Sequence, residues 1–223
     1  MTDITSLDLA PSLTSPASPL TVNSKSTLVS PIPFDLNSFD FVICDAHHLH
    51  DQQLQIEPHL RDPTRLLISQ VLLALRAVYN GGKILLRLSC VEKPLTAQIL
   101  LAFWRISGHT ETIKSLTLNK RLETFYLLAQ GIRINTSEYR KLVDALEKLW
   151  YWMTFGGEGG VGRNITWEEQ EMITSWEEVM SEGGINQIVR LGIKVWEIQC
   201  CALYGFLKSE GILQSKGIEI DIF

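Results

Sequence analysis

Glycine is absent from residues 1–80 of this 223-residue chain. Residues 1–38 therefore offer no glycine-rich turn to cradle a phosphate ahead of the first apolar run at Phe39. There is no stretch of about 18 apolar residues, and the N-terminus lacks a basic segment followed by an apolar one, so neither a membrane span nor a signal peptide is expected. Cysteine is scarce. Cys44, Cys90, Cys200 and Cys201 fall inside apolar patterns without the paired C-x-x-C spacing of zinc or redox sites, and they read as buried thiols of an intracellular protein, cytoplasmic or nuclear. Excess positive charge is also missing. The net charge of -5 supplies no overall basic field for nucleic acid, which confines any such contact to a local patch.

The chain is 45% hydrophobic and 20% charged, enough for one substantial core or for a smaller domain with a helical extension. Residues 1–33, rich in Ser, Thr and Pro, read as a disordered tail. Phe39 to Cys44 is a short apolar run of the kind that forms a strand buried on both faces. A polar loop from Asp45 to Asp62 follows. Pro63 and Thr64 then open a helix with apolar residues at Leu66, Leu67, Val71, Leu72, Leu75 and Val78. Asn80, Gly81 and Gly82 close it, and Lys83 to Leu88 return as a second strand, completing a parallel βαβ unit.

A helix over Leu95–Ser107 leads to two further strands, Glu111–Leu116 and Thr124–Gln130. The link between them is too short for a parallel crossover, which predicts an antiparallel hairpin. From Ser137 the pattern turns helical: Ser137–Met153, a helix after Thr166 with Glu169 in capping-box position, and a third from Gly184 to Ser209 interrupted near Gly192. The expected fold class is α/β, divided into a tail (1–33), an α/β domain (34–134) and a helical extension (135–223).

Asp45 ends the first strand, where open α/β sheets bind ligands; a carboxylate there can accept a hydrogen bond from a cofactor amine or orient a reacting group, and the plainer alternative is a solvated loop cap. His47, His48, His50 and His59 with Asp45 and Asp51 have the donor types of a zinc or iron site, but not the spacing that a helix would impose, so a polar surface loop is favoured. Gly157, Gly159 and Gly162 spell G-x-G-x-x-G, yet a helix ends before them and Glu158 sits where phosphate would bind, which makes a hinge or lid the better reading. Trp150, Tyr151, Trp152 and Phe155 could stack on a base, but core packing is favoured. The run Glu168, Glu169, Glu171, Glu177, Glu178 and Glu182 reads as a solvated helix face.

Three stretches in order, FDFVICDAHHLHD, LLISQVLLALRAVYNGGKILLRLS and KSLTLNKRLETFYLLAQGI, resemble the C-terminal half of the FtsJ-like methyltransferases. That family belongs to the S-adenosylmethionine-dependent, Rossmann-like enzymes, many of which methylate ribose 2'-hydroxyls in RNA. The resemblance spans Phe39 to Arg133. It implies a partial Rossmann-like methyltransferase sheet with a terminal antiparallel hairpin, S-adenosylmethionine as cofactor and RNA as substrate. Of the family's lysine-aspartate-lysine-glutamate set, Asp45 stands at the aspartate, Arg87 at the second lysine, and Thr124, or Glu123 before it, at the glutamate. Asp45 and Ala46 fall at the cofactor. Arginine is a poor general base, so Arg87 suits phosphate holding better than deprotonation.

The family's glycine-rich first strand has no counterpart in the tail. The resemblance thus sets the expectation of a truncated or inactive methyltransferase, with a binding or interaction module derived from one as the alternative. It also leaves the Phe39–Cys44 strand at an open sheet edge for a partner chain to cover.

Overall fold

The structure is a computed structural model that describes residues 4, 7–14, 30–47 and 63–212. Its centre is a four-stranded mixed sheet in the order β1-β2-β4-β3. β1 (Phe39–Cys44) lies parallel to β2 (Val78–Ser89), joined through the helix α2 (Pro63–Ala77). β3 (His109–Ile113) and β4 (Thr124–Gln130) form the expected antiparallel hairpin, and β4 inserts antiparallel beside β2, with Leu86 opposite Leu127. The α/β class and both pairings thus agree with the sequence. β3 begins and ends a few residues earlier than its apolar pattern suggested.

Gly82 lies in the first half of β2, packed closely against its surroundings. A Cβ there would lie 2.8 Å from a Val78 methyl and 2.9 Å from the Asp40 carbonyl, closer than real contacts allow. Gly81 beside it takes a φ of 88°, open to glycine at little cost. The expectation that Asn80, Gly81 and Gly82 close α2 is corrected: the helix ends at Ala77, β2 already begins at Val78, and the two glycines lie where the register with β1 is irregular, between Phe39 and Phe41.

All the main helices lie on one side. α2 and α3 (Pro94–Ile106) cover one face of the sheet, where Ile84, Leu86, Leu88, Phe125, Leu127 and Ala129 are at most 3% exposed, and α4 (Ser137–Phe155) packs on α2 and α3. These residues and Leu142, Leu146, Leu149 and Trp150 of α4 form a single cluster, so the helical extension shares the core of the α/β unit. α4 is held on α2 by an Arg76–Glu147 ion pair and by the Tyr139 hydroxyl, which donates to the Leu75 carbonyl. Burial pushes the Tyr139 phenol up to about 12.

The opposite face is open. Phe41 and Ile43 are 49% and 59% exposed, and the ladder places them in line with Lys83 and Leu85, then with Gln130 and Leu128. The expectation that β1 is buried on both faces is therefore corrected: β1 is an edge strand, and only Cys44 is fully buried. The cysteine expectation is corrected with it. Cys44 is buried, Cys90 is partly exposed, and Cys200 and Cys201 are exposed on the last helix.

Part of the presumed tail joins the core. Leu7, Leu9 and Ala10 are 4%, 0% and 0% exposed, ahead of the short helix α1 (Pro11–Thr14) that packs on α4. Asp8 fixes this turn, accepting from the Ala10 amide at 3.2 Å and the Thr14 hydroxyl at 2.8 Å, while its own amide donates to Ser30 at 2.7 Å.

Past α4, the glycine loop forms a 3-10 turn at Glu158–Gly160 and then runs on to α5 (Trp167–Gln170). It follows a helix and has neither the strand before nor the immediate helix after that a phosphate loop needs. Trp150 is fully buried, edge-on to Phe155 at 5.8 Å, in keeping with core packing. The acidic run is split between α5, α6 (Trp176–Met180) and the first turn of α7 (Glu182–Ser209). The break falls at Thr174, which is buried and exchanges hydrogen bonds with Gln98 of α3 at 2.9 and 3.2 Å. Ser175 then caps α6. The interruption expected near Gly192 does not occur: α7 is continuous for 28 residues, since one glycine costs a helix only about 1 kcal/mol and the Trp196 ring fills its place.

Candidate active site

The carboxyl ends of β1 and β2 gather the polar residues of the open face. β1 delivers Asp45 just past Cys44, and Arg87 rises from the parallel neighbour β2. The Arg87 guanidinium lies 3.3 Å from Asp45 Oδ1. On the next strand Tyr126 faces Arg87 in register and its hydroxyl donates to the same Oδ1 at 3.1 Å. Burial first, and then this bond and the carboxylate's charge, push the Tyr126 phenol above its ordinary range. Among the described residues, no donor is assigned to Asp45 Oδ2, and the side chain is 46% exposed.

His47 closes the cluster. Its Nδ1 is 2.8 Å from Arg87 Nη1 and 3.0 Å from the Asp45 carbonyl. A guanidinium nitrogen has only hydrogens to offer, so Nδ1 accepts from Arg87 and the ring proton sits on Nε2. The carbonyl contact is then a close approach rather than a hydrogen bond.

Behind the loop, Gln70 of α2 acts as a short strand partner. Its side-chain oxygen accepts from the Ala46 amide and its side-chain nitrogen donates to the Ala46 carbonyl, each at 2.9 Å. Gln70 itself is buried. Asp45 is thus placed by a strand before it and a clamped peptide after it.

Thr124 lies on the same open face, opposite Ser89 and two ladder positions from the Arg87–Tyr126 pair, about 7 Å along the strands. Glu123 takes a different role. It accepts from the Cys90 thiol at 2.9 Å and pairs with Lys93 at 3.4 Å. Its carboxyl is held below the usual range by the thiol bond and by Lys93, against some burial. The Cys90 thiol is correspondingly pushed up to about 11, by burial first and then by Glu123. The buried Lys114 ammonium holds this loop by donating to the Leu122 and Thr124 carbonyls, and burial lowers its pKa.

Of the residues singled out from the sequence, Asp45 and Arg87 meet, Thr124 lines the same face and Ala46 is the clamped peptide. Glu123 is committed to Cys90 and Lys93. Tyr126, Gln70 and Lys114 were not anticipated, and the His47 contact to Arg87 was not either. Tyr126 alternates with buried Phe125 and Leu127 in FYLL, a period-2 pattern that marks it as facing away from the core. Nothing local marks Gln70 or Lys114.

His48, His50, His59 and Asp51 lie outside the described residues, and no metal-binding group of three His, Cys, Asp or Glu occurs among the described ones. A cavity of about 860 Å³ lies at the opposite end of the sheet, lined by residues that include Arg105, Arg133, Lys141, Glu138, Glu171 and Glu178, with Arg105 and Glu178 paired at 2.8 Å. No described helix is long and apolar enough to cross a membrane. Neither a scan against protein-family models nor a search of curated proteins finds a match to this chain.

Proposed function

We propose that the chain carries the acceptor-side wall of an S-adenosylmethionine-dependent methyltransferase site of the FtsJ-like type, directed at RNA 2'-hydroxyls. The observation that carries this reading is the Asp45 carboxylate at the carboxyl end of β1, 3.3 Å from Arg87 on the parallel neighbour. A hairpin whose second strand runs antiparallel beside β2 supports it as well. The donor set fits the cofactor on this side, because an exposed carboxylate oxygen beside a clamped peptide can accept from its amine.

When bound, the cofactor supplies an electrophilic methyl group. Arg87 holds Asp45 in position and presents positive charge to an RNA phosphate. The Asp45 carboxylate accepts a hydrogen bond, and Tyr126 fixes its rotamer. Thr124 lines the open face beside them. His47 Nδ1 accepts from Arg87 and so steadies the guanidinium beside Asp45. Transfer of a labelled methyl group to RNA tests the reading: wild type transfers label and Asp45→Ala loses at least ten-fold, whereas equal transfer by the two removes Asp45 from the site.

The second reading is an interaction module derived from such an enzyme, with a partner chain covering β1. It is favoured by the open edge, where Phe39, Phe41 and Ile43 are 43–59% exposed, an arrangement that invites strand addition. Protection of the β1 amides from hydrogen exchange on adding a partner supports it; unchanged β1 exchange in the complex opposes it.

A further inference from the structure

α7 carries two apolar stripes. One packs on the body of the protein through Ile188, Leu191 and Val195, with Thr112 donating to the Leu191 carbonyl and Arg190 Nη2 donating to the Thr110 carbonyl at 3.2 Å. The other runs along the outer side through Val189, Ile193, Trp196, Cys200, Leu203 and Leu207; Trp196 is shared between the two, its ring packed against the core and its indole N–H donating to Glu92 at 3.1 Å. Val189, Ile193 and Leu203 are 45%, 48% and 40% exposed, Cys200 is exposed, and Trp196 and Leu207 are half-buried. A helix that only had to cover a domain needs one stripe.

Spacing distinguishes the second stripe. Its steps are four, three, four, three and four residues, the a and d positions of a heptad repeat. Ile193, Cys200 and Leu207 take a; Val189, Trp196 and Leu203 take d. The e positions beside this seam hold Arg190, Glu197 and Tyr204, and the g positions Gly192, Gln199 and Phe206.

We propose that α7 is a dimerisation helix that pairs antiparallel with α7 of a second copy of this chain. With Ile193 of one copy opposite Trp196 of the other, Val189 meets Cys200, and each Arg190 faces Glu197 of the second copy across the e–e edge. The charges are thus self-complementary under a two-fold axis. Arg190 is held at this edge, its Nε donating to Gln187 at 3.1 Å and its Nη2 to Thr110 at 3.2 Å, and no described residue accepts from its Nη1. Glu197 has no ion-pair partner among the described residues. Parallel pairing would instead set Gly192, Gln199 and Phe206 against the e residues, with no opposite charges matched.

Sedimentation equilibrium of the full chain tests the proposal. The expected result is a species of twice the 25.2 kDa chain mass at tens of micromolar, a concentration at which a weak coiled-coil dimer assembles. Ile193→Glu, at a half-exposed position, should leave the melting temperature unchanged and abolish the dimer. Glu197→Arg should weaken it roughly ten-fold, and Arg190→Glu added to Glu197→Arg should restore it. Orientation is read by oxidation. V189C on a C201S background should give a covalent dimer through Cys200 of the second copy, whereas C201S alone should not, because antiparallel pairing sets the two Cys200 thiols about 16 Å apart along the axis. A monomer at 100 µM, a dimer that survives Ile193→Glu, or cross-linking of C201S alone each overturns it.

Discussion

Leu9→Ala separates the fold described above from the plainer expectation of a free tail. Leu9 is 0% exposed, in the same cluster as Leu146 and Trp150 of α4. Truncating a buried leucine to alanine removes its transfer free energy and leaves a cavity, a loss of about 2–5 kcal/mol. For a chain of this size each kcal/mol lowers the melting temperature by roughly 2–4 °C, so a mid-range loss of about 3 kcal/mol predicts a drop of roughly 6–12 °C. The control is Leu118→Ala, since Leu118 is 74% exposed and its truncation should leave the transition within about 1 °C. Differential scanning calorimetry of the two variants and the wild type measures this. If Leu9→Ala melts with the wild type, residues 7–14 are not packed and the reasoning fails.

Two further outcomes follow from the site. Gln70→Leu removes both bonds to Ala46; because Ala46 is solvent-exposed, water replaces them and the stability loss stays near 1–2 kcal/mol, while the Ala46 amide should exchange faster by NMR. An Ala46 amide as protected as in the wild type would show that the clamp is not formed. Alkylation with iodoacetamide at pH 8 should modify Cys200 and Cys201 promptly, Cys90 slowly and Cys44 only on unfolding. A thiol moved from 9.0 to about 11 holds about 100-fold less thiolate, and its rate should rise about ten-fold per pH unit up to about pH 10. Glu123→Gln removes the charge and should speed Cys90 modification at pH 8; an unchanged rate contradicts the assigned contact.

Local pattern was enough for the βαβ unit and the hairpin. The helical spacing in LLISQVLLAL and the short link before Thr124 are each decided by near neighbours, whereas the glycine pair at 81–82 falls inside β2 rather than closing the helix. What escaped was set at long range. FDFVIC is apolar enough for a buried strand, and only the placement of α2, α3 and α4 on one side shows that Phe41 and Ile43 face outward. Leu7 and Leu9 sit among Ser and Pro residues, and their burial depends on α4, more than 120 residues away in sequence. The helix expected after Thr166 was cut by Gln98, whose hydrogen bonds claim Thr174 from another element.

The same division holds at the site. Asp45 was legible because the end of a strand is a position that sequence reveals. Tyr126 meets Asp45 only because β4 inserts beside β2 in the register that sets it opposite Arg87. Glu123 could not be separated from Thr124 by spacing alone, and the turn that ties it to Cys90 and Lys93 takes it out of the cluster.

Calorimetric titration of the full chain with S-adenosylmethionine, for wild type and Asp45→Ala, tests the central claim most directly. Heat saturating at high-micromolar cofactor in the wild type, and at least ten-fold weaker binding in Asp45→Ala, is the predicted result. No heat from either protein, or equal affinity in the two, contradicts it.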